Sequence, residues 1–102
     1  MILRLRPEAE RDLEAVWDHV ADDDPGAADS LIDRLIAAMD RLIALPQMGR
    51  ERPELGAGIR ALSVGQYIIF YRLDGDRLLV ARVIHGKRDI RALEVDQTPP
   101  LR

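Results

Sequence analysis

The spacing of apolar residues changes once along this chain, near residue 46, and that change limits the folds open to it. Before it, apolar residues recur every three or four positions. Ala9, Leu13, Val16, Trp17 and Val20 trace one stripe, and Ala28, Leu31, Ile32, Leu35, Met39 and Leu42 trace a second. That is the period of two amphipathic helices. After it, the runs 59–64, 67–73 and 77–85 are short, β-branched and aromatic, which is the composition of strands. Gly65-Gln66 and Asp74-Gly75-Asp76 separate those runs and have the length and chemistry of hairpin turns.

Punctuation supports the division. Residues 2–5 form a short strand candidate, and Pro7 suits the first turn of a helix, where its missing N–H costs nothing. Glu8, Glu10 and Asp12 fall in the first turns, where carboxylates complement the helix dipole. Asp24 can cap a second helix whose first position is Pro25, and Pro46 ends it. Residues 46–58, rich in glycine and proline, predict a loop, and Asp89–Glu94 a short terminal helix. The order is β-α-α-β-β-β. Elements that do not alternate indicate an α+β fold, an antiparallel helical hairpin packed on a small antiparallel β-sheet. One sheet face is then covered by helices, and the other is expected to be free to present side chains.

At 102 residues the chain is one domain, 1–102, with about 96–102 expected as a flexible tail. Apolar residues at 47% against 32% charged fit a folded globule, and the absence of cysteine removes disulfides and thiolate metal sites. No cofactor or metal is indicated. The apolar start, Ile2-Leu3, is too short for a signal peptide, and no run reaches the ~20 residues of a membrane span. A cytoplasmic protein is expected. Residues 1–46 hold five arginines against eleven carboxylates, whereas 47–102 hold nine arginines and one lysine against seven. An acidic half and a basic half suggest two surfaces with different partners.

Catalytic signatures such as a phosphate-binding glycine loop or a paired-histidine zinc motif are missing. Of two histidines, His19 lies beside the first helical stripe and is expected at the surface. Cations gather later, at Arg60, Arg72, Arg82, Lys87 and Arg88. Val80, Val83 and Ile84 surround Arg82, so its guanidinium needs either a carboxylate on the first helix or C-terminal segment, or a phosphate ligand. His85, three residues on, falls on the opposite face if the strand is regular.

The run Gly58-Ile59-Arg60-Ala61-Leu62-Ser63-Val64-Gly65-Gln66-Tyr67-Ile68-Ile69-Phe70-Tyr71-Arg72 is similar to the signature of ParE-type toxins, as is Val80-Ala81-Arg82-Val83-Ile84-His85-Gly86-Lys87-Arg88-Asp89. Ala9 to Trp17 and the step Pro46-Gln47-Met48-Gly49 also resemble the RelE/ParE toxin superfamily, so the likeness spans roughly residues 2–92. The resemblance implies the helical hairpin and sheet, and the toxin role of a type II toxin–antitoxin pair.

Two targets follow from that resemblance. ParE-like members poison DNA gyrase; on this branch Arg60, Tyr71, Arg72, Arg82, His85, Lys87 and Arg88 are the expected target contacts. RelE-like members cleave messenger RNA on the ribosome. On that branch Arg60 and Arg82 match the cleft arginines, and His85 is the nearest acid–base group. The chain departs from the nuclease pattern in its acidic balance, its single lysine and its lack of a tyrosine beyond Tyr71. The gyrase branch is therefore favoured, a binding inhibitor without an active site of its own. The resemblance also implies a partly disordered ParD/RelB-like antitoxin in a hetero-oligomeric complex. The stripe of the second helix, Leu35, Ile36, Met39 and Ile43, is wider than one packing surface requires and is the expected docking face.

Overall fold

The computed structural model describes residues 1–88. Strand β1 (Ile2–Leu5) leads into helices α1 (Pro7–Ala21) and α2 (Pro25–Ala44). Then come β2 (Arg50–Glu51), a 3-10 turn (Pro53–Leu55), β3 (Arg60–Val64), β4 (Tyr67–Asp74) and β5 (Arg77–His85). The α+β order is the one the periodicity predicts. The expected helix at 89–94 and the tail at 96–102 lie outside the described residues.

The helices begin and join as their sequences dictate. Asp24 Oδ1 accepts the Ala27 N–H at 3.1 Å, and Pro25 occupies the first helical position. Asp24→Ala should therefore cost about 1 kcal/mol. In urea unfolding the midpoint should fall at constant slope, while Asp24→Asn should restore it. Trp17 Nε1 donates to Asp29 Oδ1 at 2.9 Å, tying α1 to α2 across their short turn. Ala9, Ala28 and Ala38 are fully buried, and side chains this small let the surrounding elements approach closely.

The five strands run in the order β1-β5-β4-β3-β2. The meander β3-β4-β5 is antiparallel, as predicted, but β1 pairs with β5 in parallel, Ile2 opposite Arg77 through Leu5 opposite Val80. The sheet is therefore mixed. A parallel neighbour needs a crossover, and the helical hairpin supplies it. The loop predicted at 46–58 contributes β2 to the opposite edge, pairing with Arg60 and Ala61 of β3.

A bulge decides which side chains face the helices. Phe70 pairs with Arg82 and Tyr71 with Val80, so Ala81 is the extra residue. Val80 and Val83, three apart, consequently enter the same core beside Tyr67, Ile69, Tyr71, Leu35, Met39 and Leu42. The second face is not free to present side chains, contrary to the sequence expectation. Ile59, Phe70, Ala81 and Ile84 form a second buried cluster, with Leu55 from the 3-10 turn packed against it alongside Ala61 and Ile68. The glycine- and proline-rich loop folds back instead of standing out in solvent.

Candidate functional site

The expected contact residues fall into three separate structures. The first is a clamp on the chain after α2. Tyr71, fully buried on β4, donates its hydroxyl to the Pro46 carbonyl at 2.7 Å and accepts the Gly49 N–H at 2.9 Å. Burial raises the phenol's pKa above its ordinary value, so it stays a donor. Arg60 adds a bond to the Gly49 carbonyl at 2.8 Å and one to Glu51 at 3.2 Å. The Pro46-Gln47-Met48-Gly49 step is thereby fastened to the sheet. Arg72, next to Tyr71, is also buried and reaches Asp74 at 3.6 Å.

The second structure is an ion pair at the edge of β5. β1 covers that edge only as far as Val80. Beyond it, Asp12 of α1 takes over: its Oδ2 accepts the Val83 N–H at 3.0 Å and Arg82 Nε at 2.7 Å, while Oδ1 accepts Arg82 Nη2 at 2.9 Å. Of the partners left open for Arg82 by the sequence, a carboxylate on the first helix is the one it has. The hydrogen bonds to Asp12 hold the arginine's pKa up against the lowering effect of burial.

The third is the end of β5. His85 Nδ1 accepts the Lys87 N–H at 3.1 Å, so Nδ1 carries no proton and Nε2–H faces Gln66 Oε1, also at 3.1 Å. The Tyr67 ring meets the imidazole edge-on at 5.2 Å. Gly86 N–H donates to the Gln66 carbonyl at 2.8 Å. Both imidazole nitrogens are thus engaged in holding a turn, from which Lys87 and Arg88 project exposed.

These groups do not converge. Arg60 stands opposite Tyr71 and His85 opposite Tyr67, four residues apart on β4. With ~3.3 Å per residue and two strand spacings, the backbones at Arg60 and His85 are about 16 Å apart. On α2, Leu35 and Met39 are buried in the sheet-side core, Ile43 is half-buried and Ile36 is 46% exposed. Only part of the expected docking stripe therefore reaches the surface. Asp12, Gly49 and Gln66 were not among the site residues expected from the sequence, although each fixes one of them. Among the described residues no group of three or more histidine or acidic side chains is placed to hold a metal, and no helix is long and apolar enough to cross a membrane.

Residues 3–90 match the family model described as the ParE toxin of the type II toxin–antitoxin system parDE. The chain belongs to the ParE toxin family. It is similar to Toxin ParE1 of Mycobacterium tuberculosis, 36% identical over 88 residues, covering 84% of this chain and 90% of that protein. Toxin ParE3 of Caulobacter vibrioides is 30% identical over 92 residues, covering 89% and 91%. Two solved structures share the ParE-family fold at 23% identity. One is the chromosomal ParDE system from P. aeruginosa, with a TM-score of 0.73 over 85% of this chain and 97% of that one. The other is the RelBE2 toxin–antitoxin complex from Mycobacterium tuberculosis, with a TM-score of 0.57 over 82% and 95%.

Proposed function

We propose that this type II toxin acts in the cytoplasm on DNA gyrase, by binding rather than by cleaving RNA, and is neutralised by a cognate ParD-like antitoxin. The observation that carries the choice of target is the separation of Arg60, Arg82 and His85. A nuclease needs phosphate-binding cations and a proton-transfer group on the same few atoms. Here Arg60 is turned to Gly49 and Glu51, Arg82 to Asp12, and both nitrogens of His85 to Gln66 and Lys87. Family membership supports the same direction, and the ParDE and RelBE2 neighbours, both toxin–antitoxin assemblies by name, support an antitoxin partner.

Purified gyrase and relaxed plasmid test the target. Added toxin should suppress supercoiling or trap cleaved DNA at micromolar concentration, and premixed antitoxin should reverse the effect. Undiminished supercoiling by gyrase, together with cleavage of messenger RNA on toxin-treated ribosomes, would replace this reading with the RelE-like one.

A further inference from the structure

The turn that closes β5 is held by a titratable ring. Arg88 N–H donates to the His85 carbonyl at 3.0 Å, which makes His85-Gly86-Lys87-Arg88 a four-residue turn. Inside it, the Lys87 N–H donates to His85 Nδ1 at 3.1 Å. Accepting the N–H two residues on is ordinarily the part of asparagine or aspartate, whose side-chain oxygens form Asx turns. Those oxygens remain acceptors at any pH near neutrality. An imidazole does not, because with its second proton both ring nitrogens become donors.

The neighbours fix which nitrogen faces the turn. His85 Nε2 lies 3.1 Å from Gln66 Oε1, and the Gln66 carbonyl accepts the Gly86 N–H at 2.8 Å. Tyr67, buried on β4, packs edge-on against the imidazole at 5.2 Å. The charged and titratable groups lining the two clefts beside the ring are His19 and Asp12 of α1, Arg34 of α2, and Arg88. Asp12 is committed to Arg82 and the Val83 N–H. Arg34 and Arg88 have no acceptor to offer. Loss of Nδ1 as an acceptor thus leaves the exposed Lys87 N–H to water.

We infer that His85 is a positioning residue: its neutral imidazole, set by Gln66, holds Lys87 and Arg88 in place for the toxin's target, and a second proton releases them. The inference rests on the gyrase reading above and adds a pH dependence to it. A proton on Nδ1 would meet the Lys87 N–H donor against donor. The turn is therefore ordered above the imidazole range and loosened as pH falls through it. Acid weakens the toxin's hold on its target.

The test pairs amide NMR of the full chain with gyrase inhibition, each at about pH 8 and about pH 6, either side of the ordinary imidazole value of ~6.5. His85→Asn is the reference, since asparagine keeps an acceptor for the Lys87 N–H that does not titrate there. In wild type the Lys87 amide resonance should move together with the His85 ring signals, and in His85→Asn it should stay. His19→Gln should titrate as wild type does. Inhibition by wild type should match His85→Asn at the higher pH and fall about threefold to tenfold below it at the lower, the worth of one net hydrogen bond. A Lys87 amide that ignores the titration of His85, or a His85 ring that stays neutral throughout, would overturn the inference. So would a titrating amide with an unchanged ratio of inhibition, because the turn would then not be the contact. A titrating amide in a protein that inhibits gyrase at neither pH would leave the latch standing and overturn the gyrase reading.

Discussion

Replacing Gly49 with alanine should destabilise the protein by about 3 kcal/mol, the sum of overpacking and of hydrogen bonds displaced at a buried site. A Cβ there would sit 2.5 Å from Tyr71 Oη and 2.7 Å from its Cε1. Tyr71 cannot retreat, because it is fully buried between strands and bonded to Pro46 and Gly49. Tyr71→Phe should itself cost about 1–3 kcal/mol, since the Gly49 N–H and Pro46 carbonyl lose their common partner. The two changes should be less than additive, because the phenylalanine removes the nearest of the atoms the new methyl meets, Oη, and the hydrogen bonds the methyl would displace. A double-mutant cycle by urea unfolding measures this. Strict additivity would contradict the clamp. The phenol's raised pKa adds a pH signature. Its contribution is complete below the ordinary tyrosine value of ~10 and fades as pH rises through the higher folded value. Tyr71→Phe should not show that alkaline loss.

Asp12→Ala should produce the other large effect, about 3 kcal/mol, because removing one member of a largely buried pair strands the other. The side chains of Arg82 and Asp12 are only 16% and 12% exposed. The same carboxylate satisfies the Val83 N–H on the edge of β5 that β1 has ceased to cover. Asp12→Asn keeps an acceptor of the same shape and should lose roughly half as much. Replacing Asp12 and Arg82 together by leucine and methionine should be milder than either single loss, since no charge is left unpaired. An Asp12→Ala cost below about 0.5 kcal/mol, the range of ordinary surface substitutions, would contradict this role.

How much of this was legible in the sequence depends on the range of each interaction. The helices and the β3-β4-β5 meander follow from local spacing and turn chemistry, which residues 9–45 and 59–85 carry plainly. The parallel β1–β5 pair joins residues about 75 positions apart, and no local pattern encodes it. β2 is two residues long and has no periodicity to detect. The bulge at Ala81 leaves no mark in the run Val80-Ala81-Arg82-Val83, yet it turns both Val80 and Val83 toward the helices. Apolar character in Phe70, Ala81 and Ile84 could not say that a loop residue, Leu55, would help cover them.

The same limit applies to the site. Arg82's need for an anionic partner, carboxylate or phosphate, was evident from its apolar neighbours, but Asp12 as that partner depends on α1 lying along β5. The Pro46-Gln47-Met48-Gly49 step stood out only by resemblance, and Tyr71, 22 residues beyond Gly49, supplies its physical reason. Leu35 and Ile36 are adjacent on one broad helical stripe, and only the packing separates a core residue from an exposed one.

The most direct test of the central claim is the order in which macromolecular synthesis fails after tightly controlled expression of this chain without its antitoxin. Pulse labelling should show DNA synthesis falling first, with filamentation, while protein synthesis continues. Collapse of protein synthesis before DNA synthesis would contradict gyrase as the target and return Arg60, Arg82 and His85 to consideration as a ribosome-assembled nuclease site.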